Sequence, residues 1–454
     1  MANTSLKQIA QRLVEDALQQ GATGAEAIGR AGEEFSVGVR LGTVERLKEA
    51  ASKSLGLRVF LGTRSASAFT SDLAPESLAK LLVRALEMAR ATSEDPASGL
   101  PEAALLGQYP GELALYSDDL SQLRTEQRIE LARRAEAAAF QSDPRITNSE
   151  GSSFEASAGI KVYVNSHGFA GAYQSSYCTL SVVPVAQPNG GSAKAMERDY
   201  WYSVSRSMAA LESPEAIGRK AAERVLRRLG ARKVASCKVP VIFDPETAGS
   251  LLGNIFEAVR GDMIYRRASF LAGKLGKKVA ASHITILDDG VRPGGLGSRP
   301  FDDEGIPSSV TPVIAEGLLQ NYLLNCYTAR KLGLRTTGNA ARGLAGAPSV
   351  GPKNFYLQAG PYPPEQIIGS VKEGLYLTEL IGFGVNVVTG DYSRGAAGIW
   401  VENGELTYPV AEVTIAGNLA EILHGISMVG SDLEFRGAIA SPTILVEGLT
   451  VAGT

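Results

Sequence analysis

The sequence predicts an α+β fold: an N-terminal mixed α/β domain with antiparallel strands and flanking helices, then a Gly-rich, sheet-dominated C-terminal domain. Three observations carry this expectation. Several segments before residue 230 repeat apolar residues at helical spacing. Runs that alternate apolar and polar residues lie between them, the signature of half-buried strands. Beyond residue 230 the chain is nearly twice as Gly-rich, with 31 glycines in 224 residues against 19 in the first 230, and short apolar runs alternate with turn residues.

Leu6, Ile9, Ala10, Leu13, Val14, Ala17 and Leu18 place an amphipathic helix over 5–19, and Gly21 and Gly24 break it. Phe35, Val37, Val39 and Leu41 alternate, as do Leu55, Leu57, Val59 and Leu61, predicting two strands with Gly42 and Gly56 at turn or bulge positions. Pro75 sits in the first turn of a helix running to about Arg90, with Asp72 as a cap upstream. Residues 92–110, rich in Pro, Gly, Ser and Ala, read as a linker or long surface loop. A third helix covers 123–140. Long strands follow at 154–164 and 168–183, joined by a hairpin turn that accounts for His167. Another strand is expected at 200–207. Pro214 opens a helix ending at Gly230, where Arg227 and Arg228 suit the C-terminal dipole. In the second half, strands are expected at 239–243, 284–287, 310–315, 355–357 and 412–416, with helices near 247–259, 326–332 and 364–372. The chain divides into an N-terminal subdomain at 1–110, a middle subdomain with long hairpin strands at 111–233 and a C-terminal domain at 234–454.

Composition narrows the function. The 454 residues carry 45 Lys plus Arg and 48 Asp plus Glu, for a net charge of −3, and neither half is basic. Nucleic-acid and membrane-surface roles therefore gain no electrostatic support. The N-terminus has no apolar core of a signal peptide and no run reaches the roughly 18 apolar residues of a membrane helix. A cytoplasmic address with free thiols is expected. Cys178, Cys237 and Cys326 form no CxxC pair, and His167, His283 and His424 are scattered, so no local zinc motif is present.

The sequence contains neither G-x-S-x-G nor G-x-x-x-x-G-K-[ST]. The glycines at 294–297 end in Ser-Arg-Pro rather than opening a helix, and read as a turn. Asp288 and Asp289 end a predicted strand, and Asp302, Asp303 and Glu304 follow a Pro-Phe. Such carboxylates could bind a hard cation or divide acid–base work; their simpler role is to cap turns through backbone N–H groups. Arg260, Asp262, Arg266 and Arg267 form a charged cluster, while Asn339, Arg342, Asp391 and Arg394 stand among Gly and small residues. Either set could line a groove for an extended peptide added as a strand, or form charge pairs that hold loops.

Several second-half segments carry a family resemblance. They are 269–276 (SFLAGKLG), 288–290 (DDG), 297–307 (GSRPFDDEGIP), 327–333 (YTARKLG), 337–340 (TGNA), 389–395 (TGDYSRG), 411–419 (AEVTIAGNL) and 429–433 (VGSDL). With 146–151 (ITNSEG) in the first half, they resemble the TldD/PmbA family across most of the chain. In that family's protease branch, a helix carries H-E-x-x-x-H: two His and a distant Cys hold zinc, and the Glu activates water. The segment 252–262 (LGNIFEAVRGD) aligns with that motif without a gap. Leu252 and Glu257 then stand at the His positions and Gly253 at the Glu position. No Cys follows Cys326, so the third ligand is missing too.

The resemblance thus implies the TldE (PmbA) branch, lacking the zinc motif: a non-catalytic subunit of a cytoplasmic metalloprotease complex, whose TldD-like partner supplies zinc. This chain would complete the chamber and help hold extended peptides. Arg260, Asp262, Arg267, Asn339, Arg342, Asp391 and Arg394 are the candidates for the peptide groove or subunit contact. No cofactor is expected in this chain, and neither nucleic acid nor membrane as a partner. Two alternatives stay open: a homodimeric peptide-binding or regulatory protein, in line with family names that refer to modulation of DNA gyrase, and a zinc-independent hydrolase. The hydrolase would use Asp302, Asp303 or Glu304 with a nearby Arg on a peptide-like or biosynthetic substrate.

Overall fold

A capping box starts the first helix, α1 (Leu6–Gln19): Ser5 Oγ accepts from the Gln8 amide, and Gln8 Oε1 accepts from the Ser5 amide. The computed structural model of the protein describes residues 5–188 and 196–453. Residues 1–4 and 454, at the ends of the expected outer domains, lie outside the described residues. Leu6, Ala10, Leu13, Val14 and Ala17 of α1 are buried, at the predicted spacing. The chain continues through β1 (Gly24–Arg40), β2 (Thr43–Leu61), β3 (Arg64–Thr70) and α2 (Pro75–Ala91). After a long connection come α3 (Thr125–Ser142), β4 (Ile146–Asn165), β5 (Ala170–Ala186), β6 (Glu197–Arg198), β7 (Trp201–Ser205) and α4 (Pro214–Leu226).

All these strands belong to one sheet, in the order β3-β2-β1-β4-β5-β6, with β7 also paired to β5. The β1–β4 ladder joins residues 1–110 to 111–233 within it. β1 and β2 are much longer than alternation predicts, and Gly24, expected as a break, opens β1. The reason is composition: residues 24–34 mix Ala and Gly with Glu and Arg, so no clean apolar alternation marks the strand.

The two faces of this sheet are chemically distinct. Ala25, Ala27, Phe35 and Val37 of β1 are buried. α1 and α2 pack with Leu55, Leu57 and Val59, while α3 and α4 pack with Phe35, Phe154 and Leu180. Alternate residues point the other way. On that second face Glu26 lies opposite Arg58, Arg30 opposite Lys161, and Ile28 opposite Tyr163.

The C-terminal region begins with β8 (Cys237–Phe243), α5 (Pro245–Val259), α6 (Gly261–Tyr265), β9 (Ile286–Asp289), β10 (Val310–Ala315), β11 (Leu318–Leu319) and α7 (Cys326–Leu332). Short strands β12 (Ala340–Ala341), β13 (Ser349–Val350) and β14 (Asn354–Leu357) lead to α8 (Pro364–Gly369). Then follow β15 (Glu373–Ile381), β16 (Val385–Asn386), β17 (Asp391–Glu402), β18 (Glu405–Asn418), α9 (Leu419–Gly425), β19 (Ile426–Val429), β20 (Ile439–Ala440) and β21 (Ile444–Ala452). One sheet runs β15-β8-β21-β18-β17-β16, and β17 also pairs with β15, so the ladders return on themselves. A second sheet runs β11-β10-β9-β14-β20. α5 buries Leu251, Leu252, Ile255, Phe256 and Val259 in the large core between them.

The stretch 92–110, expected as a linker or surface loop, is a strap laid on the C-terminal region. Gly107 N donates to Gly305 O at 3.0 Å, and Tyr109 N to Pro300 O at 2.7 Å. Arg330 donates to the carbonyls of Ala97, Gly99 and Leu100. Irregular backbone can be buried because its polar groups find these partners. No helix among the described residues is long and apolar enough to cross a membrane.

Candidate functional site

Asp244 and Pro245 set the start of α5. Asp244 Oδ1 accepts from the Thr247 amide at 2.8 Å, and Pro245 occupies the first turn, where its missing N–H is not needed. Leu252 points into the core. Gly253 lies beside the 436–440 segment: a Cβ there would come 4.0 Å from Ile439 Cδ1. Glu257 is already committed, because both its oxygens accept from Arg260 Nη1 at 2.9 Å. The other side of the Arg260 fork holds Asp262, at 3.1 and 3.2 Å.

These residues do not fit a zinc ion. An apolar side chain, a glycine and a carboxylate paired with arginine offer no ligand set. Among the described residues no group of three or more His, Cys, Asp or Glu is arranged to hold a metal. Cys178 and Cys326 are buried, and burial pushes the Cys178 thiol up to about 12. His167 Nδ1 lies 2.7 Å from Pro101 O at the expected hairpin turn. His283 and His424 are exposed.

Beside α5 a cleft of about 410 Å³ opens between the N-terminal sheet and the 434–440 segment. Arg224 of α4 is its centre. It donates to Asp199 at 3.2 Å and pairs with Asp244 at 3.7 Å and Glu246 at 3.6 Å. Burial raises the pKa values of Asp244 and Glu246 despite that cation. Asp199 Oδ2 and Glu246 Oε1 are buried and accept no hydrogen bond. Arg436 closes one wall, stacked 4.0 Å over Trp201 and bonded to Glu212. The cleft wall is aromatic, and its central charges are paired with one another.

The proposed groove residues separate. Arg260 and Asp262 sit together at the end of α5, and Arg267 is exposed with φ +53°. Arg394 reaches Ser250 on α5 at 2.8 Å, while Asp391 bonds Thr389. Asn339 and Arg342 are buried members of a charged hydrogen-bond network. Asn339 Nδ2 donates to Asp288 Oδ2 at 2.6 Å, and Arg342 donates to Glu26.

That network joins the polar face of the N-terminal sheet to the C-terminal region. Glu26 takes Arg58 Nη1 at 3.2 Å, Tyr163 OH at 2.7 Å and Arg342 Nη1. Burial works to raise its pKa, but the two guanidinium groups outweigh it and hold the carboxylate below the ordinary range. Lys161 pairs with Asp303, whose other oxygen takes the Arg342 amide. Asp302 accepts three backbone amides, from Glu304, Ile306 and Ala340. The 302–304 acids therefore organise loops. Sequence reading found them but not Glu26, which lies in the unrecognised start of β1, nor Arg58, Lys161 and Tyr163, which lie in expected strands whose pairing with β1 no local pattern reveals.

Glu304 differs from its neighbours. Burial, reinforced by the Asp302 carboxylate, raises its pKa to about 7. Its folded value exceeds the ordinary 4.5, so its contribution to stability is full below about pH 4.5 and is lost as pH rises through about 7. Glu304→Gln should remove roughly 1–3 kcal/mol of this pH dependence. Urea unfolding of both proteins between pH 4.5 and 8 measures it; parallel profiles would refute the assignment.

Family models for the PmbA/TldA metallopeptidase match in three consecutive pieces: domain 1 at 25–89, the central domain at 118–229 and the C-terminal domain at 236–453. The metalloprotease PmbA of Escherichia coli O157:H7 is 41% identical over 419 residues, covering 92% of this chain and 90% of that protein. A crystal structure of a protein proposed as a modulator of DNA gyrase, from Bacteroides thetaiotaomicron, superposes with a TM-score of 0.91 at 29% identity, covering 100% of both chains. TldE from Thermococcus kodakarensis shares the fold, with a TM-score of 0.88 at 22% identity over 98% of this chain and 100% of that one. Sequence, three consecutive domain matches and fold agree, and the chain belongs to the PmbA/TldD metallopeptidase family.

Proposed function

We propose that this chain is the non-catalytic, TldE/PmbA-type subunit of a cytoplasmic two-chain metalloprotease. A TldD-type partner carries the zinc and cleaves the peptide. This chain completes the chamber and holds extended substrate, with the cleft around Arg224, Trp201 and Arg436 as the holding surface. One observation carries the reading. At the place where a protease-branch helix presents its ligands, α5 offers buried Leu252, side-chain-free Gly253 and a Glu257 already paired to Arg260. The name of the Escherichia coli relative describes a metalloprotease; in this chain that chemistry is assigned to the complex.

The test is to purify the chain alone and co-expressed with an H-E-x-x-x-H companion. Zinc content and cleavage of an unstructured peptide are then measured with and without chelator. The chain alone should hold no stoichiometric zinc and show no chelator-sensitive cleavage, and the co-expressed pair should show both. Stoichiometric zinc with chelator-sensitive cleavage in the isolated chain would overturn the proposal.

A further inference from the structure

A second cavity, of about 390 Å³, lies away from α5's vacant positions, between β2, the 92–110 strap, α6 and α7. Its volume falls in the range of small-molecule sites, roughly 300–1,000 Å³. Arg58 lines it and is 6% exposed. This guanidinium makes one hydrogen bond among the described residues, from Nη1 to Glu26. Glu26 must serve Arg342 as well, so two buried arginines share one carboxylate. The guanidinium also lies 4.6 Å over the Phe60 ring, and among the described residues its remaining nitrogens have no protein acceptor, so they are free to take an anion from the cavity.

Glu304 lines the same cavity, its Oε2 accepting from the Cys326 amide at 2.8 Å. The wall beyond is aromatic: Tyr265 and Tyr327 meet edge to face, with ring centres 6.2 Å apart. Ser65 of β3 and Ser93 and Ser98 of the strap also line it. One buried cation among acids disfavours a multiply charged phosphate. It suits a singly charged anion with a flat, bidentate head, which matches a guanidinium fork.

We propose that this cavity binds a small carboxylate of amino-acid or short-peptide size, its anionic head on Arg58 and its body against Tyr265 and Tyr327. The carboxylate belongs either to a free amino acid or to the C-terminus of a short peptide. The site is independent of the subunit role and could fail without affecting it.

Protonation of Glu304 accompanies binding. Glu304 faces Asp302 in its own loop, Glu26 of β1 and Cys326 of α7, and shares the cavity with Arg58, Asp95, Asp262 and Arg266. An incoming anion adds negative charge beside it and favours the neutral acid. Affinity should therefore fall as pH rises through about 7.

Calorimetric titration of the full chain with phenylalanine, Gly-Phe and Gly-Phe amide tests the proposal. At least one of the two free acids should bind, and the amide should bind at least about tenfold more weakly than Gly-Phe or not at all. Preference for phenylalanine assigns a free amino acid; preference for Gly-Phe assigns a peptide end. Arg58→Gln should abolish binding. Glu304→Gln should keep binding but flatten its dependence between pH 6 and 8, a readout that remains if the Arg58 variant does not fold. No binding of either acid, equal binding of acid and amide, or an unchanged pH profile in Glu304→Gln would overturn it.

Discussion

Glu26→Ala should lower the free energy of unfolding by about 3–5 kcal/mol, the cost of breaking a buried ion pair by deleting one partner. Glu26 is 1% exposed and compensates two guanidiniums, so alanine leaves Arg58 and Arg342 buried side by side without a counter-ion. It also strips the acceptor from buried Tyr163 OH. Chemical denaturation measures the loss. The matched control is Glu34→Ala, which breaks the exposed pair with Lys48 and should cost under about 1 kcal/mol. A loss at Glu26 no larger than at Glu34 would show that the interface network contributes little.

The second large effect is expected at Arg224. Arg224→Ala leaves Asp199, Asp244 and Glu246 facing one another, with Arg228 3.8 Å from Asp199 but already bonded to Glu197 and Glu379, and with Arg227 and Arg436 as the other cations acting on Asp244 and Glu246. The expected cost near pH 7 is about 3–5 kcal/mol. Its pH dependence has a definite sign. Burial already raises Asp244 and Glu246 above their ordinary values while Arg224 pulls them down. Removing Arg224 raises both further. The folded variant then binds protons more tightly than its unfolded chain, so its stability is retained below the ordinary carboxylate range and lost as pH rises through the new values. Unfolding curves at pH 4, 5.5 and 7 should show the gap to wild type widening with pH. A gap that narrows toward pH 7 would contradict this electrostatic account.

How much could be read from the sequence depended on whether the signal was local. α1, α5 and α7 were legible because their apolar spacing and caps lie within a few residues. β3 was not: an edge strand of Arg, Ser, Ala, Phe and Thr has little apolar alternation. The strap at 92–110 looks like free loop because its partners, Pro300, Gly305 and Arg330, lie some 200 residues on. The candidate site divides similarly. The helix 252–262 could be aligned, and Leu252, Gly253 and Glu257 judged by chemistry. The carboxylates at 302–304 were visible as a cluster, but the cations that explain them, Arg58 and Lys161, come from strands whose pairing no short window contains. The cleft centred on Arg224 was missed because its charges come from separate elements: Asp199 after β6, Arg224 on α4, and Asp244 and Glu246 together at the start of α5.

The polar face of the N-terminal sheet also bears on how the chain is made. Glu26 and Arg342 are separated by 316 positions. At about 5–20 residues per second, the ribosome delivers the arginine roughly 16–60 seconds after the glutamate. Throughout that interval the docking face stands in water without its cover. An apolar face would spend the wait as a site for aggregation, whereas Glu26, Arg58 and Lys161 are soluble while they wait. Docking the two regions through charge lets the first half of the polypeptide emerge from the ribosome and wait in water with ionic rather than apolar groups on its uncovered face until the second half arrives.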